Sequence, residues 1–306
     1  PWGPPPAGTL SFDAVVSDQP WDRLVSGRDI QASDISAYYH TGGTTGLPQL
    51  VPLSHGNQVY QAWGIALMWR TNPGAVLLTA LPLFHVGGAI THALQQLAAG
   101  GTLLVLSAAG WRNKNAMPSV WKLVERYRVE VLAAVPTVLG AILNVSMEDT
   151  DVSSVRTLTG GGSTVPVPVA EAYKRRFDLE ILETYGMTEV SSCHTISNPA
   201  RPVYLGSVGH ALPYSGVRVV ELDHNGKWVR DCPTGKIGVV TMAGPGVFSG
   251  YVTGAPDAPF VAPGWVNSGD LGRIDANGYL WITGRAKDLI IRGGHNIDPL
   301  GVEEVL

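Results

Sequence analysis

A short stretch rich in glycine and threonine, residues 41–46, has the composition that most strongly suggests chemistry. It consists of Thr41, Gly42, Gly43, Thr44, Thr45 and Gly46. Such residues do not pack a hydrophobic core, but they expose backbone N–H groups and hydroxyls that can surround a polyanion. The stretch matches neither of the two common nucleotide-loop templates, and an ordinary glycine-rich turn has a similar composition. The residues alone therefore leave a phosphate loop and a turn as alternatives.

A second polar segment follows an apolar run that predicts a buried strand over residues 179–184. Its residues are Thr184, Tyr185, Gly186, Met187, Thr188 and Glu189. Ligands of open α/β sheets bind beyond the carboxyl ends of the strands, which is where this segment would lie. There Thr188 offers a hydroxyl and Glu189 offers a carboxylate oxygen for Mg²⁺. The alternative is a loop in which these two side chains only cap a helix.

Three further segments carry residues that could contact a nucleotide or its substrate. Gly160, Gly161 and Gly162 follow a predicted strand, where they would expose main-chain atoms to a flat ring or form a flexible turn. Asp270 could accept hydrogen bonds from both hydroxyls of a ribose, although an aspartate between glycines is often an Asx-turn residue. His85 follows an apolar strand, where it could either contact a substrate or be a capping or core histidine.

The overall composition is that of a globular protein without a strongly charged surface. The 306 residues are 45% hydrophobic and 15% charged, and the formal net charge is −4. No block of like charges favours nucleic-acid binding, and no apolar run reaches the roughly 18 residues of a spanning helix. Cys193 and Cys232 lie far apart, which favours free thiols in a cytoplasmic protein over a disulfide. The chain begins without Met, and we interpret it as an excerpt of a longer protein.

Hydrophobic periodicity divides the chain into two kinds of structure. In the first two thirds, short apolar strands alternate with amphipathic helices, which is the pattern of a parallel sheet covered on both faces. Later, short strands with turn signals follow, including an Asn-Gly hairpin turn at 225–226. The predicted fold class is α/β, with a mostly parallel sheet covered by helices and then a small antiparallel, barrel-like β subdomain. We assign 1–33 to a linker or remnant, 34–202 to the α/β part, 203–284 to the β part and 285–306 to a hinge with the start of a truncated C-terminal domain.

Several of these segments together resemble the adenylate-forming superfamily, which includes the acyl-CoA synthetases. Residues 44–48, Thr-Thr-Gly-Leu-Pro, resemble its phosphate loop, and Tyr-Gly-x-Thr-Glu at 185–189 is similar to its next core motif. The glycine triplet, the Gly-Trp-(x)3-Gly-Asp sequence ending at Asp270 and the segment 284–299 resemble further family motifs. One position departs from the pattern, because Gln49 stands where the family loop usually has Lys.

The resemblance implies the fold of an acyl-CoA synthetase N-terminal domain and a role for each candidate residue. The loop at 41–46 would hold the β- and γ-phosphates of ATP, Thr188 a nucleotide phosphate and Glu189 the Mg²⁺ ion. Adenine would lie between the triplet Gly160, Gly161, Gly162 and the pair Tyr185, Gly186, with further nucleotide contacts at Thr184 and Met187. The other implied assignments are ribose at Asp270, ribose or phosphate at Arg285, the interdomain hinge at Lys287, the coenzyme A channel at Gly293 and Gly294, and the substrate carboxylate beside His85.

The implied reaction is activation of a carboxylic acid by ATP to an acyl-adenylate, with release of pyrophosphate, followed by thioester formation with coenzyme A. Residues 86–90 carry no acid that could hold an ammonium group, which favours an acid without an α-amino group, as in fatty acid metabolism. The catalytic Lys of the family would lie beyond Leu306, so we expect the isolated chain to be weak or inactive. Two alternatives remain, an acyl-AMP ligase that loads a carrier protein and a nucleotide-binding relative without catalysis. An assay that compares coenzyme A with carrier-protein thiols as acyl acceptors distinguishes the first alternative from a CoA ligase. Carboxylate-dependent pyrophosphate exchange by the full-length protein would exclude the second.

We predict that Gln49→Lys accelerates adenylation or tightens ATP binding in the intact protein by about tenfold, because a positive charge near the pyrophosphate favours the approach of two anions. Steady-state kinetics with varied ATP measure both quantities. Gln49→Glu is the matched control, and its negative charge should act in the opposite direction. An unchanged rate together with an unchanged ATP affinity in the Lys variant would contradict the prediction.

Overall fold

The computed structural model of the protein describes residues 6–23, 25–41, 49–147, 149–252, 259–286, 290–292 and 295–297. A short helix, α1 (Phe12–Ser17), precedes an antiparallel pair of strands, β1 (Ile35–His40) and β2 (Leu50–Ser54). The backbone N–H of Thr41 donates to the carbonyl oxygen of Gln49 at 2.9 Å and so joins the two strand ends. Thr41 thus directly follows strand β1, whereas Gly42, Gly43, Thr44, Thr45 and Gly46 lie outside the described residues.

A seven-stranded sheet confirms the predicted α/β class. Its strands are β3 (Val76–Thr79), β4 (Thr102–Val105), β5 (Val131–Ala133), β6 (Thr157–Gly161), β7 (Ile181–Met187), β8 (Ser192–Ile196) and β9 (His210–Ala211). Their order is β4-β3-β5-β6-β7-β8-β9. The first five strands in this order pair in parallel, and β8 and β9 extend the sheet with antiparallel pairing. The predicted mostly parallel sheet is therefore correct, but β8 was not predicted.

Helices lie before and between the strands of this sheet in the chain. They are α2 (His55–Trp69), a π-helix (Gly87–Leu94), α3 (Gln95–Ala98), α4 (Ala116–Tyr127), α5 (Pro136–Ile142) and α6 (Val167–Phe177), with 3₁₀ turns at Gly110–Arg112 and Thr188–Val190. Helix α2 begins with a reciprocal capping box formed by Ser54 and Asn57. None of the helices in the described ranges is long and apolar enough to cross a membrane.

A second sheet is antiparallel, as predicted for the later part of the chain. It contains β10 (Gly216–Leu222), β11 (Trp228–Asp231), β12 (Gly238–Ala243), β13 (Phe260–Ala262), β14 (Trp265–Ile274) and β15 (Leu280–Arg285). The strand order is β11-β10-β12-β14-β13, and β15 pairs with β14. The Asn-Gly hairpin is confirmed between β10 and β11, where Gly226 has a φ of 73°. A separate pair, β16 (Ile290–Arg292) and β17 (His295–Ile297), follows.

Three sequence-based boundaries need correction because strand pairing extends the elements. Gly160 and Gly161 belong to β6 and not to a loop, since Gly161 is paired with Thr184 on β7. Strand β7 continues to Met187, so the candidate segment at 184–187 is part of the strand and does not follow it. Strand β14 runs from Trp265 to Ile274, which places Asp270 inside a strand and excludes the Asx-turn alternative.

Several hydrophobic clusters hold these elements, and two of them bear on the site. The larger packs α4, α5 and α6 against the parallel sheet through residues such as Trp121, Leu139 and Tyr173. The other, which we call the junction core, contains residues from the β1–β2 pair, the π-helix segment, the end of β7 and the antiparallel sheet. Its buried members are Val51, Leu53, Val86, Ile90, Val190, Met242, Phe248 and Val266. The predicted free thiols are confirmed, since neither Cys193 nor Cys232 forms a disulfide.

Gly186 is required by the close approach of β7 and β8. A Cβ atom at this position would overlap the carbonyl oxygen of Ser192 and lie 2.7 Å from the Cα of Cys193. We predict that Gly186→Ala lowers the free energy of unfolding by about 3 kcal/mol or more, because backbone atoms of the paired strand would have to shift. Chemical denaturation of the intact protein measures this value.

Gly162→Ala is the matched control for this prediction. Gly162 has a φ of 85°, but nothing lies within 4 Å of the position of its Cβ. The alanine should therefore cost only the backbone strain of the left-handed conformation, about 1 kcal/mol. Equal losses in the two variants would show that the contact between β7 and β8 is looser than described.

Two buried histidines make the stability of the fold depend on pH. Burial lowers the pKa of His92 and of His194 from 6.5 to about 4. Between these values the unfolded chain binds more protons than the folded one, so stability is complete above pH 6.5 and falls as the pH decreases. We expect a loss of about 2 kcal/mol per histidine between about pH 7.5 and about pH 5, seen as a lower urea midpoint.

Matched variants test which groups cause this dependence. His92→Asn keeps a polar atom near the Nδ1 that bonds Thr79, and His194→Gln keeps one near the Nε2 that bonds the carbonyl of Gly216. Both variants should lose less stability at low pH than the wild type, whereas His224→Gln in the exposed β10–β11 turn should lose as much as the wild type. If the double variant of the buried histidines loses as much stability at low pH as the wild type, other groups cause the pH dependence.

Candidate functional site

Three candidate residues from distant parts of the chain are in direct contact. The hydroxyl of Tyr185 donates to Oδ2 of Asp270 at 2.7 Å. The Nε of Arg285 lies 2.9 Å from Oδ1 of the same carboxylate. Asp270 is almost completely buried, with 7% of its surface exposed, whereas the Arg285 side chain is 63% exposed. Both oxygens of a buried carboxylate are thus engaged by named donors.

Local structure in the antiparallel sheet positions this carboxylate. Asp270 and Arg285 are paired across β14 and β15, and their side chains meet as cross-strand neighbours do. The Ser268 hydroxyl donates to the carbonyl of Val240 at 2.9 Å and accepts the backbone N–H of Asp270 at 3.1 Å. A bond from the Ala286 N–H to the Gly269 carbonyl closes the end of the strand pair. The aspartate therefore sits on a rigid element.

Electrostatics fix the protonation of the pair. Burial raises the pKa of Asp270, and the hydrogen bond from Tyr185 and the charge of Arg285 oppose this rise. Burial and the nearby carboxylate raise the pKa of Tyr185 well above its usual range. The tyrosine therefore remains protonated at neutral pH and acts as the hydrogen-bond donor to Asp270.

Glu189 lies just beyond the carboxyl end of β7, in the turn Thr188–Val190. Its exposed fraction is 8%, and its Oε1 accepts a hydrogen bond of 2.7 Å from the hydroxyl of Tyr251. Burial and the contact with Glu189 raise the pKa of Tyr251, so this tyrosine is also a donor. The carbonyl of Glu189 accepts the N–H of Phe248 at 2.9 Å, which holds the turn against the antiparallel sheet. Thr188 is buried beside it.

His85 follows β3 and lies close to the base of the glycine-threonine stretch. Its Nδ1 accepts the backbone N–H of Gly87 at 3.0 Å, which leaves Nε2 for another partner. The rings of His40 and Phe84 are stacked, with centroids 6.4 Å apart. Surrounding protein atoms and the charge of His40 lower the pKa of His85, although its side chain remains accessible. The end of β1, and with it Thr41, is thereby close to the His85 segment.

The glycine triplet has packing reasons of its own. A Cβ on Gly160 would lie 3.1 Å from Ile181 and 3.2 Å from Val165, and one on Gly161 would overlap the hydroxyl of Thr184. That hydroxyl is 3.5 Å from the carbonyl oxygen of Gly160. The two glycines therefore allow β6 and β7 to approach closely at the carboxyl ends of these strands.

The structure brings most of the described candidate residues to one region. Tyr185, Asp270 and Arg285 touch, and Thr184, Gly186, Met187, Thr188 and Glu189 lie on the same strand and turn as Tyr185. Lys287, Gly293 and Gly294 lie outside the described residues. Tyr251 and Ser268 were not predicted from the sequence, because the bond of Tyr251 to the distant Glu189 and the bonds of Ser268 to the backbone of Val240 and Asp270 leave no local pattern.

One carboxylate at the site fits a magnesium ion. Mg²⁺ binds proteins through one or two carboxylates while keeping waters and substrate phosphates as its other ligands. Glu189 accepts from Tyr251 through Oε1, so Oε2 is the oxygen that could ligate the ion. The described residues contain no cluster of three or more His, Cys, Asp and Glu side chains, so a site formed by protein ligands alone is not present there.

Comparisons with known proteins relate this site to a family. The family described as AMP-binding enzyme matches residues 4–252. The marinolic acid–CoA ligase of Pseudoalteromonas sp. (strain SANK 73390) is 38% identical over 310 residues, which cover 99% of this chain and 47% of that protein. The chain thus spans about half the length of this curated relative.

Solved structures give the same result. The ATP-bound MatB from Rhodopseudomonas palustris is 31% identical, with a TM-score of 0.81 over 90% of this chain and 53% of that one. The O-succinylbenzoate coenzyme A synthetase (MenE) of Bacillus subtilis, in complex with ATP and a magnesium ion, is 30% identical, with a TM-score of 0.77 over 90% of this chain and 55% of that one. Because the family match covers most of the chain and the fold agrees, this chain belongs to the AMP-binding enzyme family, the adenylate-forming enzymes that its motifs resemble.

Proposed function

We propose that the intact protein activates a carboxylic acid without an α-amino group and transfers the acyl group to coenzyme A. In the first step, a carboxylate oxygen attacks the α-phosphorus of ATP and pyrophosphate leaves. In the second, the thiolate of coenzyme A attacks the acyl carbonyl and AMP leaves. Family membership and a relative named as a CoA ligase support this proposal. The proposal also includes the division of the chain into the linker 1–33, the α/β part 34–202, the β part 203–284 and the hinge segment 285–306, and a cytoplasmic location.

Nucleotide binding is the role that the site geometry supports best. A buried aspartate with two fixed oxygens is suited to accept hydrogen bonds from both hydroxyls of a ribose. In this proposal Asp270 binds the ribose and Arg285 the ribose or phosphate. The glycines Gly160, Gly161 and Gly162 and the pair Tyr185 and Gly186 would flank adenine, and Thr184 and Met187 would be further nucleotide contacts. The Asp270 arrangement is the single observation that carries the proposal.

The phosphates and Mg²⁺ would lie at the turn after β7 and at the end of β1. Glu189 holds the ion through its remaining oxygen, and Thr188 and the stretch at 41–46 contact the phosphates. When bound, Mg²⁺ neutralises charge on the phosphates so that two anions can approach each other. Tyr251 keeps the Glu189 carboxylate oriented through its 2.7 Å hydrogen bond.

The acid would bind beside His85, whose Nε2 is available because Nδ1 accepts from Gly87. Residues 86–90 are Val, Gly, Gly, Ala and Ile, which provide no partner for an ammonium group. A fatty or aryl acid therefore suits this segment better than an amino acid. The hinge at Lys287 and the coenzyme A channel at Gly293 and Gly294 remain part of the proposal through the motif resemblance alone.

Carboxylate-dependent exchange of pyrophosphate into ATP by the intact protein tests the proposal. With a panel of fatty and aryl acids, we expect at least one acid to support exchange. Asp270→Asn should raise the KM for ATP by about tenfold or more, because the amide accepts through only one atom and repels a ribose donor. Glu189→Gln should lower kcat by about tenfold or raise the Mg²⁺ concentration that gives half-maximal exchange by about tenfold.

Asp231→Asn is the matched control for these variants. It makes the same change at a half-exposed aspartate on β11, paired with Arg218 outside the site, and should leave exchange unchanged. No exchange with any acid, or equal effects of the three variants, would refute the proposed function.

A further inference from the structure

The hydrogen bond between Tyr185 and Asp270 joins the two larger sheets among the described residues. Tyr185 lies on β7 of the seven-stranded sheet and Asp270 on β14 of the antiparallel sheet. The two side chains meet at 2.7 Å although 85 residues separate them in the chain. A hydrogen bond between two sheets fixes the position of the Asp270 side chain relative to the seven-stranded sheet.

Both partners are held by their own strands. Tyr185 precedes an irregularity in the pairing of β7 with β8, where Gly186 packs directly against the backbone of Ser192. Asp270 is fixed by the Ser268 hydroxyl and by the pairing of β14 with β15. The geometry of the bond is therefore set by the strands that carry the two residues.

The two oxygens of Asp270 have different partners. Oδ1 meets Arg285, a long side chain that is 63% exposed and can rearrange. Oδ2 meets Tyr185, whose ring packs against hydrophobic residues of two clusters. Of the two contacts, the tyrosine is the one that fixes the plane of the carboxylate.

We propose that the Tyr185 hydroxyl is a positioning group that orients the Asp270 carboxylate and thereby makes the nucleotide site selective for ribose over deoxyribose. This inference rests on the proposed function, because it assigns the ribose hydroxyls to Asp270. It separates the hydroxyl of Tyr185 from the contact of its ring with adenine, since loss of the hydroxyl changes only how ribose is bound.

The test compares ATP with 2′,3′-dideoxy-ATP in calorimetric titrations of the intact protein. The wild type should bind ATP more tightly than the dideoxy nucleotide. Tyr185→Phe should weaken ATP binding by about tenfold and change dideoxy-ATP binding by less than about twofold, because the ring is kept and a bond to a charged group is lost. The ratio of the two dissociation constants should therefore fall by about tenfold.

Tyr251→Phe is the matched control. It removes a hydroxyl that donates to a carboxylate, Glu189, at the same distance of 2.7 Å, from a ring that contacts the same junction core. It should leave the ratio between ATP and dideoxy-ATP unchanged. A parallel fall of that ratio in both variants would overturn the proposal, because a general loosening of the core would then explain it.

Other outcomes are equally decisive. If the wild type prefers ATP and Tyr185→Phe keeps the full preference, the positioning role is wrong while the proposed function stands. If the wild type binds neither nucleotide, the proposed function fails and this inference fails with it. Should Tyr185→Phe not fold, a crystal structure of the wild type with ATP decides. A Tyr185 hydroxyl within hydrogen-bond distance of Asp270 supports the proposal, and its departure from the carboxylate overturns it.

Discussion

A carboxylate buried between two sheets is the constraint on which the site depends. Removing a charge from water is costly unless donors surround it, so Asp270 needs partners that arrive with the fold. One of them, Arg285, comes from the neighbouring strand, and the other, Tyr185, comes from the other sheet. The site is therefore complete only when the two sheets are docked, and the docking brings a tyrosine donor to the aspartate.

Apolar packing provides the free energy for that docking. The junction core joins Val51 of the β1–β2 pair, Val86 beside His85, Val190 after Glu189 and Val266 on β14. Each of these residues lies within five positions of a candidate functional residue or of the stretch that contains one. Burial of a valine side chain stabilises by about 1.5 to 3 kcal/mol, so the core that holds the sheets together also fixes the spacing of the polar groups above it.

The sequence predicts the fold class because strand and helix periods differ, and the alternation of apolar runs is visible over the first two thirds of the chain. It does not predict that β7 extends to Met187 or that β8 exists, because both depend on pairing with a neighbouring strand. The order of the motifs identifies most of the candidate residues that the structure brings together. The contact between Tyr185 and Asp270, and the role of Tyr251, are tertiary and leave no local pattern.

The reversal of the chain between β7 and β8 explains how Glu189 reaches its position. Strand β7 pairs in parallel with β6 on one side and antiparallel with β8 on the other, so the chain must turn within a few residues. Ser191 and Ser192 adopt φ values of 64° and 116°, which are unfavourable for residues with a Cβ. The Ser191 hydroxyl donates to the carbonyl of Gly246 at 2.7 Å, and Ser192 bonds Thr91, so the strained turn is held from two sides. A relaxed, longer loop would carry Glu189 away from Tyr251, and the tight turn thus couples the topology of the sheet to the position of the carboxylate.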